Sequence, residues 1–287
     1  MSEAWNIRFG TAGTSDSFAA QGYKSSLDVP EYTAKMGLNA FEYQCGRGVR
    51  LGLDKAAKMA ALAGPKDILF SVHAPYYISM SSLEEEKRLN SIQYLLQSAA
   101  VCKALGGRRI IFHSGSCGKQ SREAALEKAL DTMRRAVAAL DEAGFGDMTL
   151  CPETMGKIGQ LGTLDEVLAL CGVDSRITPC IDFGHLNART LGGSQTKADY
   201  AAILDRMAEG LGDDHRRQLT LCQQLHQGLR LRAELGIGKG PVEMCIRDRY
   251  CTGASLASSS SPSSATSKVT PQWAQLASPA SRSASLT

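Results

Sequence analysis

The chain has 287 residues, of which 43% are hydrophobic, and a formal net charge of +3. That is enough for one large α/β domain or two small ones, while the charge is too small to decide for or against a nucleic-acid partner. The N-terminus, "MSEAWNIRFGTAG", lacks a basic segment followed by a long apolar one, and no later stretch approaches the length of a membrane span. Nine cysteines are scattered without CxxC pairing, which argues against a disulfide frame or a zinc ribbon and for buried free thiols in a reducing compartment. A cytoplasmic protein with no membrane partner, acting as a monomer, is expected.

Six short apolar or β-branched runs follow in chain order: "NIRFG", "AFEYQ", "ILFSVH", "RRIIFH", "MTLCPE" and "ITPCID". They recur at intervals of roughly 30 to 40 residues, the length of a strand, a crossover helix and two loops. Helical periodicity fills the intervals. Ile92, Leu95, Ala99, Cys102 and Leu105 share one face, as do Leu126, Leu130, Met133, Val137 and Leu140, with Ser121 as N-cap and Gly144 as C-cap. Strands with so few alternating polar positions suit a parallel sheet covered on both faces. An open doubly wound sheet and a (β/α)8 barrel both meet that requirement.

The polar residues at the strand ends separate the two. His73, His113, Glu153 and Asp182 close four successive runs, and His185 follows three residues after Asp182. In an open sheet these side chains spread along a crevice, whereas in a barrel the carboxyl ends of the strands converge on one rim. Imidazole nitrogens and carboxylate oxygens are the usual zinc ligands, at about 2.0 to 2.2 Å, and a shared carboxylate bridges two ions. A metal cluster would therefore explain why buried segments end in groups that are costly to bury unpaired. Two glycine-rich stretches, "GSCGKQS" and "GIGKG", do not have the spacing or the preceding strand of a phosphate loop.

The motifs "SVHAPYYIS", "IIFHSGS", "LCPETMGKIGQLGT" and "CIDFGHLNA", in this order, resemble the endonuclease IV family of apurinic/apyrimidinic endonucleases. The resemblance runs from about Ile7 to about Arg217. It implies a xylose-isomerase-like TIM barrel with a trinuclear zinc site that cleaves double-stranded DNA on the 5′ side of an abasic sugar in base excision repair. By motif, His73 and His113 would hold one Zn2+ with Glu153, the catalytic carboxylate, which would bridge to a second ion held by Asp182. His185 would belong to the third ion. Arg47 and Tyr76, after the second and third strands, match positions used to contact DNA. A sugar isomerase or epimerase using one divalent metal on the same barrel is a competing reading, and a non-catalytic barrel remnant is a third.

After about Asp214 the pattern stops. The family would require a His from a seventh strand, an Asp-x-His pair and a Glu from an eighth. Only His215 and His226 remain, and no acidic residue occurs from Thr252 onward, where Ser, Ala and Pro dominate. "EMCIRDR", Glu243 to Arg249, corresponds to the translation of a transposon end used in sequencing libraries. The expected organisation is thus a partial barrel over 1–214, with about six βα units and the last two missing or replaced, and a non-native or disordered tail over 215–287. Fewer than three zinc ions and no cleavage are expected of the chain as written.

Overall fold

A computed structural model describes residues 8–194, 196–211, 220–224 and 243–247. Eight parallel strands form the sheet: β1 (Arg8–Ala12), β2 (Ala40–Gln44), β3 (Leu69–His73), β4 (Arg109–Phe112), β5 (Thr149–Pro152), β6 (Cys180–Asp182), β7 (Thr220–Gln224) and β8 (Glu243–Arg247). The order is β5-β4-β3-β2-β1-β8-β7-β6. Parallel bridges at Leu150↔Ile177 and Glu153↔Cys180 join β5 to the segment of β6 and close the ring. The helices are α1 (Asp16–Ala20), α2 (Val29–Lys35), α3 (Leu53–Ala63), α4 (Glu85–Ala104), α5 (Arg122–Glu142), α6 (Leu164–Cys171), α7 (Phe183–Arg189) and α8 (Lys197–Leu211). This is the expected TIM barrel, and all six sequence-derived runs lie on its first six strands.

The alternation of side chains across each strand sorts the core into two shells. Phe41, Phe70, Val72, Ile110, Phe112 and Leu150 belong to the large cluster shared with the helices. Ile111, Cys151 and Cys180, with Ala12 against them, form a separate small cluster inside the barrel. The polar strand ends continue that inner face toward the rim.

Helix α5 begins as expected, with the Ser121 hydroxyl accepting from Ala124 N–H. Ala143 is its C-cap, and Gly144 follows with a φ of 76°, the left-handed conformation that suits glycine after a helix end. The buried face differs from the expected leucine stripe. Ala125, Ala129, Thr132, Met133, Ala136 and Leu140 are buried, and Leu126, Leu130 and Val137 flank them. Small residues let the helix approach the sheet closely, and the leucines cover the edges of that contact. The α4 stripe of Ile92, Leu95, Ala99, Cys102 and Leu105 is buried throughout.

Of the two expected outcomes for the units after the sixth, missing or replaced, the described strands meet the second: β1 pairs with β8, and β7 pairs with both β6 and β8. The replacements are "TLCQQ" and "EMCIR", the second lying within the transposon-like stretch. Parallel pairing is made by backbone groups, so a short β-competent run fills a strand position whatever its origin. The rest of the tail expected over 215–287, with His215 and His226, lies outside the described residues. Among the described residues no helix is long and apolar enough to cross a membrane.

Candidate metal centre

The barrel brings His73, His113, Glu153, Asp182 and His185 together at the carboxyl ends of β3 to β6. Two overlapping donor groups result, His73–His113–Glu153 and Glu153–Asp182–His185, each with ligand atoms within 4.8 Å of one another. Glu153 belongs to both. Its Oε2 lies 3.0 Å from His73 Nε2 and 3.1 Å from His113 Nε2, and its Oε1 lies 3.4 Å from His185 Nδ1. The carboxylate is fully buried, so the two oxygens face the two groups from inside the protein.

Backbone carbonyls orient the imidazoles. His73 Nδ1 is 3.0 Å from Ala74 O, and His185 Nδ1 is 2.9 Å from Thr154 O. A ring nitrogen facing a carbonyl carries the proton, which leaves the opposite nitrogen as a lone-pair donor. For His73 that nitrogen is Nε2, which faces Glu153 Oε2. Two acceptors in contact at 3.0 Å require a proton or a cation between them, so the donor set fits a metal ion by its own chemistry.

Asp182 does two jobs. Its Oδ1 accepts from His185 N–H at 2.8 Å and caps α7, while Oδ2 lies 3.4 Å from His185 Nδ1. Thr154 holds this corner, because its Oγ1 accepts from Asp182 N–H at 2.8 Å. Burial alone pulls the His185 pKa down, but the Glu153 contact, the charges of Asp182 and Glu153 and the Thr154 carbonyl outweigh it and raise the pKa to about 8.

Arg47 and Tyr76 meet on the same rim, where Arg47 Nε donates to the Tyr76 hydroxyl at 2.9 Å. Tyr76 N–H also donates to Gly46 O at 3.2 Å, and the Tyr76 and Tyr77 rings lie 5.1 Å apart, both about half exposed. Cys45, between this loop and β2, is buried, and burial pushes its thiol up to about 12, so it stays protonated and unreactive at neutral pH.

Three features were not legible as site features in the sequence. Arg189 of α7 donates to the carbonyls of Met155, Lys157, Ile158 and Gln160, and Arg122 donates to those of Ile158 and Gln160. The loop that follows Glu153 is thereby clamped by two guanidinium groups, a pairing that no local pattern announces. The third feature is the pair Glu42 and Gln44 of β2, on one face of that strand. Their alternation in "AFEYQ", in phase with the polar strand ends, was the available signal.

Among the described residues, the last strands do not fill the positions of the further ligands that the family would require. β7 has the sequence TLCQQ, and Glu243 of β8 is in register with Arg8 and Thr220 at the amino ends of their strands, a strand length from the rim.

Residues 30–242 match the family described as xylose isomerase-like TIM barrel. An uncharacterized protein of Methanocaldococcus jannaschii is 35% identical over 206 residues, which cover 72% of this chain and 72% of that protein. A probable endonuclease 4 of Mycoplasma pneumoniae is 31% identical over 121 residues, 40% of this chain and 41% of that protein. Endonuclease IV from Thermus thermophilus has a similar structure, with a TM-score of 0.60 at 20% identity, covering 85% of this chain and 93% of that chain. A D-psicose 3-epimerase solved in the presence of D-fructose reaches 0.62 at 13% identity, covering 86% of each chain. Structural likeness at identities this low establishes the shared fold alone. From its match over most of its length, the chain belongs to the xylose isomerase-like TIM barrel family.

Proposed function

We propose that this chain carries the metal-binding half of an endonuclease IV-type site, a phosphoric diester hydrolase that cuts duplex DNA 5′ to abasic sugars. The observation that carries the reading is the place of Glu153 in both donor groups, His73–His113–Glu153 and Glu153–Asp182–His185. An isomerase or epimerase that uses one divalent metal has no need of imidazoles on both the third and fourth strands. A metal held by these residues would supply a water of lowered pKa and neutralise charge on a phosphate.

The chain's own residues prepare that site. Ala74 and Thr154 carbonyls set the His73 and His185 rings, and Asp182 and Thr154 lock the start of α7. Arg47 and Tyr76 stand where a duplex would cross the rim, the first to meet phosphate and the second to fill the space left by an extruded sugar. Each donor group has three protein ligands, so zinc in its four-coordinate preference would keep one open position per group. The third ion would have too few ligands among the described residues, and the chain as written is expected not to cleave.

The decisive experiment is to resequence the gene from codon 210 onward and express the complete reading frame. The product should nick a duplex with one abasic site and lose that activity to a strong chelator. Epimerisation of a ketose with abasic DNA left intact would replace this reading with the isomerase one.

A further inference from the structure

Strand β2 carries a polar pair that lies outside both donor groups found among the described residues. Glu42 is fully buried, and Gln44, half-buried, lies two residues closer to the rim on the same face. Gln44 is the register partner of His73, so it stands beside the first donor group. The strand end is held in place, because Cys45 N–H donates to His73 O at 3.0 Å. On the other side, a Cβ added at Gly13 would come within 3.2 Å of Gln44 Cγ.

Gln44 Nε2 donates to Glu42 Oε1 at 2.6 Å. This bond assigns the amide. A carboxylate oxygen accepts and does not donate, so the NH2 end of Gln44 is the end toward Glu42, and the carbonyl Oε1 is the end turned away from it. A substrate at the rim therefore meets an acceptor, fixed by a carboxylate one layer deeper. Phosphate oxygens are acceptors too and gain nothing from it. Sugar hydroxyls are donors.

We infer that Glu42 is a positioning residue that fixes Gln44 as the hydrogen-bond acceptor for a sugar hydroxyl held at the metal centre. The inference rests on the proposed reading of the site as one for a sugar-bearing substrate. Two sources offer this chemistry: the abasic deoxyribose, whose hemiacetal form carries a hydroxyl at C1, and a free ketose.

The test uses the zinc-loaded chain of 287 residues and measures binding, not turnover. Fluorescence anisotropy compares an intact duplex, a duplex with a natural abasic site and one with the tetrahydrofuran analogue, which lacks the C1 hydroxyl. A calorimetric arm titrates D-fructose. The natural abasic duplex should bind about fivefold tighter than the analogue, the effect of one neutral hydrogen bond. Gln44→Met and Glu42→Met should bring that ratio to about one, and Glu42→Gln should preserve it, because an amide carbonyl still accepts from the Gln44 NH2. Zinc stoichiometry and melting temperature control for folding. Fructose binding that Gln44→Met abolishes would support the inference with the ketose as source. Preference for both abasic duplexes over intact DNA, with a ratio of one in the wild type or a ratio unmoved by Gln44→Met, would overturn the inference and leave the endonuclease reading standing. Binding of neither abasic DNA nor fructose would overturn both.

Discussion

Replacing Glu166 with alanine should loosen the loop that follows Glu153. Glu166 lies in the first turn of α6, is 7% exposed, and gathers four donors: Arg122 Nε at 2.7 Å and Nη2 at 2.8 Å, Gly162 N–H at 2.8 Å and Thr163 N–H at 2.9 Å. It also completes a capping box with Thr163. Loss of the reciprocal cap costs about 1 kcal/mol. The Gly162 N–H, left buried without its acceptor, costs about 1 to 2 kcal/mol more. The Arg122 side chain is 34% exposed and keeps its two carbonyl partners, so its lost ion pair adds at most about 0.5 kcal/mol after solvent screening. The expected total is about 3 kcal/mol, read from urea unfolding by linear extrapolation. Burial alone would raise the Glu166 pKa, but Arg122 and the amides of Gly162 and Thr163 outweigh it and hold the carboxyl below the usual range. A depressed folded-state pKa means that the stabilisation is present above the unfolded pKa and is lost as pH falls through the folded one. The gap between wild type and Glu166→Gln should therefore be constant above about pH 5 and should close in more acidic solution. A loss below about 0.5 kcal/mol on alanine substitution, against the range typical of a lost cap, or a gap that widens on acidification, would refute the reasoning.

Three further outcomes follow from the geometry. Zinc titration should give two bound ions and not three, and Glu153→Ala should remove both, because the two donor groups share that residue; a variant that keeps two ions would dissolve the bridging role. Gly10→Ala should prevent cooperative folding, since its Cβ would stand 2.0 Å from the Ala40 carbonyl oxygen across the β1–β2 pair, and an ordinary thermal melt would contradict this. Tyr76→Ala should leave stability within about 0.5 kcal/mol, as expected for a half-exposed side chain, yet weaken binding to an abasic duplex about tenfold; unchanged affinity in an anisotropy assay would remove Tyr76 from the interface.

Much of the barrel was legible in the sequence because its signals are local. A parallel strand covered on both faces is a short apolar run, and the last residue of such a run lies at the rim whatever the rest of the chain does. His73, His113, Glu153 and Asp182 are therefore legible as one constellation in the sequence, and His185 joins them by its place one helical turn after Asp182. The tertiary structure decided what depends on residues far apart in the chain. The ion pair of Arg122 with Glu166 and the double hold of Arg122 and Arg189 on one loop join segments 29 to 44 residues apart. The choice of alanines over leucines for the buried face of α5 depends on how closely that helix approaches the sheet. Closure of the ring by "TLCQQ" and "EMCIR" is made by backbone hydrogen bonds, which any short extended run can supply and which leave no mark on the sequence.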